Sequence, residues 1–251
     1  MEDTAMGVTG EAPQMSFFQR LTGIFFEPTR TFEDINRKAT WIGIFVIMAI
    51  LGMVVAYAMV SHIDTVALMR QQMEARNMSE AQITAAIEAQ QGSALVKNLM
   101  YLGVIVAPIA QIASYLIIAG VFLLIFMMMG APLTFKKTLA VTIWGMSPPG
   151  IVMSVLSVVL IYIKNPDSVE MTQGVVMSNL GPLVNSKANP FLHSVLGSID
   201  LFSFWTIVMM SIGLAAISDR KLTVKKAAIG VVILWALFVL GKSGIRMIFP
   251  Q

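Results

Sequence analysis

Trp41 to Val60 is a run of 20 residues without a charge, and it constrains this chain more than any other stretch. A helix rises about 1.5 Å per residue, so such a run crosses a hydrocarbon core about 30 Å thick. Other runs match it. Asn98 to Phe135, Thr138 to Ile163 and Leu201 to Ser218 carry no charge, and Ala227 to Gly241 opens a further stretch. The whole chain is 57% hydrophobic and 12% charged, with a mean hydropathy of +0.78. A soluble domain carries about 25% charged residues. One soluble core cannot hide that much apolar surface, so the bilayer must be part of the solvent. The expectation is an all-α polytopic membrane protein with five transmembrane helices, near 41–60, 99–130, 138–163, 200–218 and 227–248.

Ahead of the first span the pattern changes twice. Residues 1–14 read as a disordered cytoplasmic tail. Glu2, Asp3 and Glu11 with no apolar core rule out a cleavable signal peptide, so the first span must act as the membrane signal. Residues 15–38 read as interfacial amphipathic helices. Phe17, Phe18, Leu21, Ile24 and Phe25 fall at helical spacing, with Gln19, Arg20 and Thr22 on other faces. Glu27-Pro28 breaks this helix. Pro28 suits the first turn of a second one, in which Phe32 and Ile35 share a face. Arg30, Arg37 and Lys38 can meet anionic head groups.

Between the spans, Ser79 with Gln82 forms a capping-box pattern, with Ile83 and Ile87 on one face of the helix that follows. The stretch from Asn98 reads as one long helix ending near Gly130, closed by Pro132, with Pro108 and Gln111 as kink candidates. Ser147-Pro148-Pro149-Gly150 sits in the middle of the third span. Two prolines remove two backbone donors, so a break or sharp bend is expected there. Lys164 to Ser198 is a mixed loop. The last span needs Lys242 and Arg246 to snorkel if it is to reach full length. With five spans, the N-terminal segment, the Lys136–Lys137 loop and the Arg220–Lys226 loop share one side and hold 4, 2 and 4 basic residues. The other side holds 3, 2 and 2 over longer segments, so the first set is expected in the cytoplasm and the C-terminus outside. No repeat at a fixed period is visible, and five spans do not suit a simple inverted-repeat transporter.

Chemistry-bearing residues are few. Without cysteine, the chain has no disulfide, thiol nucleophile or cysteine-ligated metal. The two histidines, His62 and His193, lie in no metal-binding spacing, and no G-x-S-x-G is present. Gly241-Lys242-Ser243 is similar to the end of a phosphate-binding loop, but the upstream glycine position holds Ala236, inside an apolar helix. No catalytic residue, cofactor or metal is expected. The net charge of +3 reads as loop charge, and no basic run with interleaved aromatics points to nucleic acid. Twenty methionines read as packing and lipid contact. Asp200 is either a costly ionisable site at the membrane or, preferably, the N-cap of the fourth span. Lys242 and Arg246 could pair with an acid across the bundle; a basic anchor is preferred. The Pro148–Pro149 break reads as a structural kink first and a transport site second. Small residues such as Ala107, Ala110 and Ser114 read as close helix packing.

Three stretches in order then resemble a known family. Phe25-Phe26-Glu27-Pro28-Thr29-Arg30-Thr31-Phe32 leads to Trp41 and a span, as in the family's phenylalanine–x–proline–x–x–x–phenylalanine entry segment. The third span carries Pro148 and Pro149. Ile199-Asp200-Leu201-Phe202-Ser203-Phe204-Trp205 leads into Ile212-Gly213-Leu214-Ala215-Ala216. Together these resemble the Yip family, the Ypt/Rab-interacting-protein-like integral membrane proteins, in its bacterial form, over most of residues 17 to 248. The resemblance implies five transmembrane helices, a cytoplasmic N-terminus and no enzymatic reaction. Eukaryotic members bind small GTPases and partner membrane proteins in vesicle traffic. This chain departs from them in lacking their long N-terminal domain and their aspartate–leucine–tyrosine/tryptophan–glycine–proline motif, so GTPase binding is not expected.

The resulting expectation is a non-enzymatic protein of a bacterial inner membrane that organises the bilayer or scaffolds other membrane proteins, or copies of itself. The alternative is a small-solute or ion transporter, with Gln111 and the Pro148–Pro149 break lining its path. Pro28, Phe32, Gln111, Pro148, Pro149, Asp200, Trp205 and Lys242 are the candidate functional or architectural positions.

Overall fold

The structure is a computed structural model. It describes residues 13–62, 66, 69–70, 73–74, 78–90, 94–163, 176, 178–186, 188–219 and 221–248. The tail expected over 1–14 falls almost wholly outside them. The described residues form helices and short connecting turns, with one isolated bridge between Asn179 and Asp200. Four helices are long and apolar enough to cross a membrane, and a shorter apolar one accompanies them, so the chain is a polytopic membrane protein.

The first two helices form a hairpin. Helix α1 (Phe17–Phe26) opens with a capping box: Gln19 N–H donates to Ser16 Oγ, and Ser16 N–H donates to Gln19 Oε1. Helix α2 (Pro28–Arg37) starts on Pro28, whose missing N–H would have had no partner in a first turn. Its Thr31, Phe32, Asp34 and Ile35 are buried.

Helices α3 (Ile42–His62), α5 (Ala94–Met128), α6 (Phe135–Ile163), α8 (Leu201–Ala216) and α9 (Val224–Ile248) build the bundle. Helix α4 (Glu80–Gln90) follows a second capping box, between Ser79 and Gln82, and buries Ile83 and Ile87. Helix α5 passes through Pro108 without a break. It stops where Gly130 takes a φ of +82°, a left-handed conformation open to a residue without Cβ. Ala131 N–H then bonds the Phe126 carbonyl and Gly130 N–H the Met127 carbonyl, so the last turn is closed before Pro132.

Helix α6 is the hub. It packs on α3, α5 and α8 and receives both helices of the hairpin. From Thr138 to Gly145 every residue is buried, so this half is enclosed on all faces. Packing is close: a Cβ added to Gly145 would lie 2.9 Å from Met210 Sδ, and one on Gly150 would lie 2.6 Å from Met48 Cε. Lipid tails are as apolar as leucine, so close approach of this kind holds a membrane bundle together better than hydrophobicity does. The expected break at Pro148–Pro149 is absent: α6 runs unbroken from Phe135 to Ile163. Pro148 has no N–H to give to the Trp144 carbonyl. Ser147 Oγ donates to that carbonyl at 2.8 Å instead, so the group left over by the proline is satisfied inside the helix.

Helix α7 (Pro190–Leu196) is short, capped by Asn189, and packs on α9. Helix α8 has 16 residues, about 24 Å at 1.5 Å each, which is less than a full hydrocarbon core.

Candidate functional site

Two polar regions stand out, one at each end of α8. At its C-terminal end the hairpin docks. Phe32 and Ile35 are fully buried, and α2 packs against α8 and α6. A Cβ added to Gly213 of α8 would lie 2.5 Å from Val141 Cγ1 and 2.9 Å from Phe32 Cε1, so the Phe32 ring occupies the space that glycine leaves. Phe25 of α1 meets Trp205 of α8 edge-on at 6.2 Å. Phe17 lies 5.9 Å from Trp144, whose Nε1 donates to the Thr40 carbonyl at 2.8 Å. The hairpin thus follows α8 from Gly213 towards Trp205. Most of its apolar face is spent on protein; Phe18 and Phe26, 75% and 85% exposed, are left for lipid.

The hairpin closes around charge. Arg20 was placed by spacing away from the apolar face, yet it is 3% exposed, and its partner Asp34 is 1% exposed. Arg20 Nε donates to Asp34 Oδ2 at 2.7 Å; its Nη1 reaches the Lys38 carbonyl and Thr40 Oγ1, and Nη2 the Asp34 carbonyl. Arg37 adds a second ion pair to Asp34 at 2.7 Å, and Met15 N–H a third donor. Burial alone pushes the Asp34 carboxyl up. The Met15 bond and the two guanidiniums outweigh it and hold the group below its ordinary value. Sequence reading missed this centre because the pair is 14 residues apart and meets only once the hairpin folds.

At the N-terminal end of α8, Asp200 caps the helix. Its Oδ1 accepts from Phe202 and Ser203 N–H, and its Oδ2 from the Ser203 hydroxyl. Lys242 of α9 is half-buried, and its Nζ donates to Ser198 Oγ at 2.8 Å. His193, buried in α7, pairs its Nδ1 with the Val184 carbonyl at 2.9 Å; a carbonyl only accepts, so Nδ1 carries the hydrogen.

The remaining candidate positions stay separate. Gln111 is half-buried between α5 and α3, near Gly52, and donates weakly to the Tyr115 hydroxyl at 3.5 Å. Pro148 and Pro149 are buried in α6. Among the described residues no three His, Asp or Glu side chains gather.

The Yip1 domain model covers residues 22–244. The chain belongs to the Yip1 domain family. No curated protein and no solved structure matches it significantly. The Yip1 match runs from the middle of α1 to near the end of α9, so it takes in most of the hairpin, the hub helix and the Lys242 cluster alike.

Proposed function

We propose that this chain is a non-enzymatic scaffold of the Yip family that presents a rigid, lipid-facing platform to partner membrane proteins or to a second copy of itself. The docked hairpin is the observation that carries it. Arg20 on Asp34 closes α1 onto α2, and Phe32 over Gly213 fixes the pair to the bundle, so their outer surface, with Phe18, Phe26, Glu27 and Arg30, is preformed for recognition. On this reading the chain crosses five times, with α8 as a short crossing helix. The N-terminus and hairpin are cytoplasmic and the C-terminus outside, as the distribution of basic residues suggests. The membrane is a bacterial inner membrane, because the motifs resemble the bacterial form of the family.

Crosslinking and pull-down from native membranes should recover a defined partner or a self-complex. Asp34→Ala should lose it while the protein still inserts. Reconstituted liposomes should show no solute flux above protein-free vesicles, and a robust, saturable flux sinks the proposal. Tags on the two termini should report opposite faces; the same face overturns the five-span topology alone.

A further inference from the structure

Lys242 lies in the last third of α9, where a long basic side chain ordinarily reaches for water. It turns inward to Ser198 Oγ, which itself donates to the Ser194 carbonyl at 2.9 Å. Arg246 follows one turn later on the same face of α9. Among the described residues the ion pairs are Arg20–Asp34, Arg30–Glu27, Arg37–Asp34 and Arg70–Glu80; neither Lys242 nor Arg246 takes part in one. The Asp200 carboxylate is already occupied by the first turn of α8. Among the described residues, Lys242 and Arg246 are thus two cations without a counter-ion. Helices α7 and α9, which pack together, also each carry a buried hydroxyl with no partner, Ser194 and Ser243. An anion rich in acceptor oxygens would compensate the two cations.

We propose that Lys242 and Arg246 bind the phosphate of an anionic phospholipid headgroup. Phosphate offers several strong acceptors to an ammonium and a guanidinium at once. A phospholipid is favoured over a dissolved ion because the cations sit beside an uncovered apolar surface. Leu201, Leu240, Ile245 and Met247 around them are all exposed, as acyl chains require, and a free phosphate would leave this surface unused. The Gly241-Lys242-Ser243 run is not a phosphate-binding loop: it lies within α9, whose backbone N–H groups are engaged in the helix.

The test uses the full chain in neutral detergent, with phosphatidylglycerol, diacylglycerol or inorganic phosphate added, read by melting temperature and by lipid adducts in native mass spectrometry. Phosphatidylglycerol should raise the melting temperature by several degrees and remain bound, and diacylglycerol should do neither. Lys242→Gln with Arg246→Gln should weaken the phosphatidylglycerol effect about tenfold or more, and Lys242→Arg should keep it. Equal effects of phosphatidylglycerol and diacylglycerol on the unaltered protein overturn the site without any variant, should the double substitution fail to fold. An unchanged effect in a folded double variant overturns it too. Inorganic phosphate that matches phosphatidylglycerol at millimolar concentration overturns the lipid as the source.

Discussion

At the hairpin end of the bundle, Asp34 has two guanidinium partners and a backbone donor, and Arg20 spends its donors on Asp34, Lys38 and Thr40. At the other end, neither Lys242 nor Arg246 makes an ion pair among the described residues, and the Asp200 carboxylate is taken up in capping a helix. Both regions place ionisable groups beside apolar helices, where an uncompensated charge is costly. The first is complete within the chain, as a structural fastening must be. The second is completed only by something added. The contrast suggests that compensation, rather than the mere presence of charge, separates an architectural cluster from a receptive one in this protein.

The comparison breaks most readily at Asp34. Asp34→Ala leaves Arg20 buried without its counter-ion and should cost about 3–5 kcal/mol. Denaturation in detergent should show it, with the fluorescence of Trp144 and Trp205 reporting the hairpin coming away. The same pair gives a pH dependence of known sign. Asp34 is held below its ordinary value of 3.8, so its contribution is fully present above that pH. It is lost as the pH falls further, through the lowered value in the folded state. Undocking that begins near neutral pH would contradict the buried pair. Gly213→Ala should cost about 1–3 kcal/mol by forcing Phe32 or Val141 aside. If Phe32→Ala in the same chain restores no stability, the two do not compete for that space.

Smaller effects belong to the other end. Asp200→Ala removes a helix cap and should cost about 1 kcal/mol, read as a lowered melting temperature. Lys242→Met, in detergent without anionic lipid, should be neutral or slightly stabilising, because it removes a poorly compensated charge. A large loss there would mean that the bond to Ser198 already compensates Lys242, and the contrast between the two ends would fail.

Much of this could be read in one dimension. Apolar runs of bilayer length, the Ser79–Gln82 box, the Gly130-Ala131-Pro132 stop and Asp200 before an apolar helix all act within a few residues of themselves. What the sequence concealed acts across the fold. Arg20 looked solvent-facing because its partner belongs to the next helix. The bond from Lys242 to Ser198 joins residues 44 positions apart. The prolines misled for a different reason: whether Pro148 breaks α6 depends on whether another donor reaches the Trp144 carbonyl, and Ser147 supplies one only in the right rotamer.

The seating of Phe32 on Gly213 has a consequence for how the protein is made. The two residues are about 180 positions apart, so α2 emerges from the ribosome long before the surface that will cover it exists. Until α8 is synthesised, Phe32 lacks the Gly213 surface that covers it, and the membrane surface is the natural place for such a face to wait. The segment ahead of the first span is therefore among the last to settle, and its docking marks the bundle as finished.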